Sequence, residues 1–172
     1  MAMLVHITTE QAARMMLKSG IRAERCVING VAGKGVYAMP VTRNFMVSHQ
    51  WLRELKRGRS GSLVGVYIRV PDDELVHWGR YNQVHVSITA AEAVGRAMHG
   101  DTMDGSQIVL RRKILASEIH RVRRLPQLVG WRHYPEAHGK RPWACACCQR
   151  GEYGSAKIRM RLGESPRGRF AG

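Results

Sequence analysis

Leu63-Val-Gly-Val-Tyr-Ile-Arg-Val70 constrains this chain more than any other stretch. It is almost wholly apolar and β-prone, and Pro71 stops it, so it reads as a strand, and as a central one. Shorter strand signals precede it. They are Leu4-Val-His-Ile7, Cys26-Val-Ile28 before the turn dipeptide Asn29-Gly30, and Val36-Tyr-Ala-Met39, ended by Pro40. Others follow it. Val84-His-Val-Ser-Ile88 alternates like a strand, and Ile108–Ile114 reads as a basic strand with Ile119–Leu125 as its neighbour. Helical spacing predicts Glu10–Lys18, capped by Thr8 and Thr9 and closed by Ser19-Gly20. It also predicts Asn44–Arg57, with one apolar and one basic side, and Ala90–Met98 behind a Thr89 cap. Asp72–Trp78 reads as a helical turn. Strands and helices in this order describe a mixed α/β domain.

With 172 residues the chain fits one domain plus an appendage. The composition changes beyond Pro126, so residues 1–126 form the expected domain and 127–172 a basic extension containing Trp and Cys. Its last stretch, 163–172, is expected to be disordered. No apolar run approaches the roughly 20 residues that a bilayer requires, and no secretory signal opens the chain. Four cysteines, three of them in Cys145-Ala-Cys147-Cys148, do not resemble a secreted disulfide framework. The expectation is a soluble, cytoplasmic protein.

Twenty-eight Lys and Arg against 13 Asp and Glu leave a formal charge of +15. Such a charge says nothing about fold, but it calls for a polyanionic partner, most often nucleic acid. Between 108 and 125, Arg111, Arg112, Lys113, Arg121, Arg123 and Arg124 face one acid, Glu118. Strand alternation puts Arg111 and Lys113 on one side, and Arg121 and Arg123 on another shared side. Two such rows placed together repel unless a polyanion lies between them. Farther on, Lys140, Arg141 and Arg150 stand among Trp131 and Trp143, a mixture suited to phosphate contacts and base stacking, or to a solvated face.

Three local patterns bear on chemistry. His6-Ile-Thr8 runs from a strand into a helix N-terminus, where free amides favour anions; a histidine satisfied inside the fold is the plainer account. Tyr37 sits on a strand beside the glycine loop Gly33-Lys-Gly35 and offers a ring for a flat heterocycle, or simply a core or edge tyrosine. Gln107 opens a late strand behind Asp104-Gly-Ser106, where a polar side chain can reach a ligand sugar or merely serve the turn.

Taken in order, these patterns resemble the ADP-ribosyltransferase family, in the branch that has His, Tyr and Glu as its signature and includes bacterial toxins that modify nucleic acid. The resemblance covers about residues 3–125. It implies an α+β fold with a split, mixed β-sheet and flanking helices, and an NAD-dependent transferase activity. It assigns His6, with Thr8, to holding NAD, Tyr37 to stacking on nicotinamide, and Gln107 to the place of the glutamate. Glutamine keeps a hydrogen bond but lacks the charge that steadies a cation-like sugar. Asp101, Asp104 or Glu118 could supply an acid instead, or the site could bind without turnover.

His133, His138, Cys145, Cys147 and Cys148 fall within sixteen residues. His138 with the three thiols could hold zinc tetrahedrally, although Cys-x-Cys-Cys is not the usual knuckle spacing. A reduced cysteine cluster without metal is the alternative. The function expected is ADP-ribosyl transfer from NAD to nucleic acid or a nucleic-acid-associated protein, in the manner of a bacterial or phage toxin. The competing expectation is a non-enzymatic nucleic-acid-binding module, with or without zinc. Nothing in the residues specifies a partner antitoxin.

Overall fold

The computed structural model describes residues 1–41, 51, 52, 55, 56, 61–81, 83–99 and 105–125. The fold is α+β. Eight strands form one sheet, antiparallel at every described pairing, and two helices cover one of its faces.

The strand from 63 to 70 appears as β4 (Leu63–Val70), with the bounds its composition predicts. It pairs on one side with β1 (Ala2–Thr9) through eight residue pairs, from Ala2↔Val70 to Thr9↔Leu63. On its other side lies β8 (Ile119–Arg124), the end of the sheet. β2 (Glu24–Ile28) and β3 (Val31–Pro40) form a hairpin. Its turn is Asn29-Gly30, both at positive φ (52° and 78°), the geometry that favours Asn-Gly in tight hairpins. β3 then pairs with β7 (Ser106–Leu110) through Val36–Ala38, and with β1 through Met39 and Pro40. β5 (Leu75–Arg80) and β6 (Val86–Thr89) complete the order β6-β5-β7-β3-β1-β4-β8, with β2 attached to β3.

Helix α1 (Glu10–Ser19) starts where Thr9 Oγ1 accepts the Ala12 amide, so Thr9 alone supplies the side-chain cap. Helix α2 (Ala90–His99) starts the same way, with Thr89 Oγ1 accepting from Glu92. Leu4, Val36, Val66, Ile68, Ile108 and Leu110 face these helices and meet Ala13, Ala90 and Ala93 in one core. Small helix residues let the helices sit close to a Val/Ile/Leu sheet. Burying each large aliphatic side chain contributes about 1.5–3 kcal/mol. Exposed pairs such as Arg14–Glu10 and Arg96–Glu92 contribute about 0–1 each, so the sheet–helix core holds the fold.

Three expectations are corrected. Asp72–Trp78 is not a helical turn: Asp72 and Asp73 form a turn, and β5 follows. Val76 and Trp78 pack on the core side at a period of two, which suits a strand. The strand expected over Ile108–Ile114 ends at Leu110 because Arg112 turns away to bind Glu74 and Glu118. Nor do the two basic strands neighbour each other, since β3, β1 and β4 stand between β7 and β8. Of the helix expected over Asn44–Arg57, Trp51, Leu52, Leu55 and Lys56 are helical and the remainder lies outside the described residues. No described helix is long and apolar enough to cross a membrane.

Candidate functional site

β3 carries alternate residues to opposite faces. Val36 and Ala38 enter the core, while Tyr37 projects from the face that the helices leave open. Its register partner Val109 lies on that open face, as does Gln107 two residues earlier on β7. Across β7, His77 and Gly79 of β5 stand opposite Val109 and Gln107. The β2–β3 hairpin covers part of this face, burying Cys26 and Ile28 against Val109.

A cavity of about 430 Å³ opens here, within the range of small-molecule sites. Val27, Asn29 and Gly30 of the hairpin, Tyr37, Gln107 and the segment Tyr81, Gln83, Val84 and His85 line it. No charged side chain is among them. Asn29 joins the hairpin to this segment with a paired bond: its Nδ2 donates to the His85 carbonyl at 2.8 Å, and its Oδ1 accepts the His85 amide at 2.7 Å. The Trp51 Nε1–H donates to the Ser106 carbonyl at 2.7 Å, and its ring meets Tyr81 edge-on at 6.1 Å between centroids.

His85 is buried, its ring against Gly79, where a Cβ would come within 2.8 Å of His85 Cγ. The glycine exists there to admit the imidazole. Nδ1 donates to the Gln83 carbonyl at 2.9 Å, and Nε2 lies 3.0 Å from Gln107 Nε2. Burial, then the nearby Cys26 and Tyr81, push the Tyr37 phenol up, so it stays neutral around pH 7. Burial, followed by Arg111 and His85, pushes His77 down.

The sequence-predicted residues divide. Tyr37 and Gln107 meet at the cavity. His6 does not line it, but His6 Nδ1 donates to the Tyr37 carbonyl at 2.7 Å. Thr8 is buried on β1 opposite Val64 and is not among the residues lining the cavity. Glu118 binds Arg112 and the Leu115 amide and is no substitute acid at the cavity; Asp101 and Asp104 lie outside the described residues. The expected glycine loop is strand β3. Gly35 serves close approach: a Cβ there would meet Val109 at 2.6 Å and the Leu110 carbonyl oxygen at 3.0 Å.

Among the basic residues, Arg121 and Arg123 do share a face of β8, in register with Tyr67 and Gly65. The Arg121 guanidinium sits 5.1 Å over the Tyr67 ring. Following Met39↔Val5, Val5↔Tyr67 and Tyr67↔Arg121 across the sheet, this is also the face of Tyr37. Three strand spacings separate β3 from β8, about 14 Å. Arg111 and Lys113 lie past the end of β7 and form no strand row. Lys140, Arg141 and Arg150, with the metal candidates His138, Cys145, Cys147 and Cys148, lie outside the described residues. No group of three or more His, Cys, Asp or Glu suited to a metal occurs among the described ones.

Sequence reasoning missed Asn29, Tyr81, Gln83 and His85 as site residues. Asn29 was legible only as a turn former, and His85 only as one residue of an alternating run. This chain matches no protein-family model, no curated protein and no solved structure.

Proposed function

We propose that this chain is an NAD-dependent, ADP-ribosyltransferase-like enzyme that acts on nucleic acid or a nucleic-acid-associated protein. One observation carries the proposal. Three residues far apart in sequence, singled out by local pattern and by their order, lie near one another: Tyr37 and Gln107 at one cavity, and His6 on the Tyr37 carbonyl.

The cavity's chemistry suits the neutral, nicotinamide-riboside end of NAD. Tyr37 offers a partly exposed neutral ring for stacking, and Gln107 a carboxamide for a sugar hydroxyl. No side chain among the described lining residues is charged, so the pyrophosphate belongs outside. NAD brings a glycosidic C–N bond whose cleavage releases nicotinamide and leaves the anomeric carbon open to an acceptor nucleophile. The chain's contribution is to hold the donor in register with that acceptor. Arg121 and Arg123, on the same open face, favour a phosphate-bearing acceptor.

Gln107, standing where the family resemblance places a glutamate, favours a second reading, in which the domain binds its nucleotide without turnover. Labelled NAD, incubated with the protein and with RNA, DNA or cell extract, separates the two. Nicotinamide release and label transfer, both lost in Tyr37→Ala, support the enzyme. Binding without release supports the second reading, and absence of NAD binding overturns both.

A further inference from the structure

Gln107 ends in a carboxamide, whose oxygen and NH2 group have nearly the same shape and opposite hydrogen-bonding character. What the side chain presents to the cavity therefore depends on which way the amide is turned. His85 decides this. Its Nδ1 lies 2.9 Å from the Gln83 carbonyl, which can only accept, so Nδ1 carries a proton. In the neutral imidazole Nε2 is then a bare acceptor, and at 3.0 Å it accepts a hydrogen bond from the Gln107 NH2 group. The ring has no freedom to do otherwise, because Gly79 packs against it and Asn29 clamps the His85 backbone on both sides.

We propose that His85 is a positioning residue that turns Gln107 Oε1 toward the ligand as an acceptor, and that its protonation reverses the amide. With a proton on Nε2, two donors would face each other. The Gln107 amide must then rotate by half a turn so that Oε1 accepts from the imidazolium, leaving NH2 for the ligand. The two orientations fill the same space, so the exchange requires no repacking. The cavity changes from offering an acceptor to offering a donor.

Among the described residues, His77 of β5 interacts electrostatically with His85, and Arg111 acts on His77; Tyr37 and Tyr81 share the cavity lining with the pair. That the amide faces a ligand rests on the nucleotide reading above; that His85 sets the amide does not.

Nitrogen-15 NMR of the full chain tests the device without any ligand. At about pH 8 the expected tautomer of His85 has Nδ1 protonated and Nε2 bare, and one Gln107 carboxamide proton is shifted downfield. On acidification the Gln107 carboxamide signals should move in step with the His85 ring signals. His85→Leu should abolish the shift, and His85→Gln, which returns an acceptor near Nε2, should restore part of it. A protonated Nε2 at about pH 8, or Gln107 signals indifferent to the His85 titration, would overturn the proposal. Both readouts exist in the unsubstituted protein, so a variant that fails to fold does not block the test. NAD binding is then measured on the same samples, with His85→Leu expected about tenfold weaker and His85→Gln intermediate. If NAD fails to bind while tautomer and coupling hold, the positioning role stands and the nucleotide reading falls.

Discussion

His6 and Tyr37 meet where two strands part: the His6 Nδ1–H donates to the Tyr37 carbonyl across 2.7 Å, one residue beyond the last rung between β1 and β3. The side chain takes the place of a ladder bond and fixes the backbone that carries Tyr37. Removing it costs a typical hydrogen bond, about 1 kcal/mol of stability. His6→Ala should therefore lower the denaturation midpoint modestly and weaken NAD binding by about tenfold. His6→Asn, with a donor near the Nδ1 position, should recover part of both. Titration calorimetry beside urea unfolding checks the pair of effects.

Gln107→Glu should raise the rate of nicotinamide release. It restores a carboxylate at the cavity, and one preorganised electrostatic group is worth on the order of 10²–10³ in rate. A single-turnover assay measures the effect. An unchanged release rate would count against glutamine as the limiting departure.

Arg112 ties three segments together. Its guanidinium reaches Glu74 Oε2 at 2.5 Å and Glu118 Oε1 at 2.6 Å, with both carboxylates 17% exposed. The hydrogen bonds from Arg112 hold the Glu118 carboxyl below its ordinary range. A depressed carboxylate stabilises the fold above its unfolded value, about 4.3 for glutamate, and that contribution disappears as pH falls through the lower folded value. Arg112→Met should cost about 2 kcal/mol near pH 7, less than a fully buried pair because Arg112 is itself 38% exposed. The difference from the unsubstituted protein should shrink on acidification below about pH 4. Thermal unfolding followed against pH provides the test.

Arg121→Ser with Arg123→Ser should weaken RNA and DNA binding and reduce the slope of log affinity against log salt by about 2. The loss should be uniform across sequences, since phosphate contacts carry no base information. Filter binding at several salt concentrations measures it. A slope left unchanged would move the polyanion contact off this face of β8.

Much of the scaffold was legible because its signals are local. Leu63–Val70 declares itself by composition and by Pro71, the Asn29-Gly30 turn by backbone chemistry, and the Thr9 and Thr89 caps by their place before apolar spacing. The errors arose where a distant partner overrode the local pattern. Arg112 ends β7 early because Glu74 and Glu118 wait outside the strand, and no local pattern announces them. Strand order is equally non-local, so the separation of β7 from β8 was invisible. The site was half legible. Tyr37 and Gln107 followed from a family-like order, whereas His85 matters through a contact with Gly79 that becomes visible only once β5 and its following segment are folded.

The seam between β1 and β3 has a mechanical meaning. Eight residue pairs fasten β1 to β4, whereas two, Leu4↔Pro40 and Val5↔Met39, together with the His6 side chain, fasten it to β3. One core runs beneath both sides of this line, so the helices and not the ladder bridge the cavity side of the sheet to the strand that carries Arg121 and Arg123. A short ladder opens at lower free energy than a long one, so amide exchange should release the β1–β3 seam before the β1–β4 ladder.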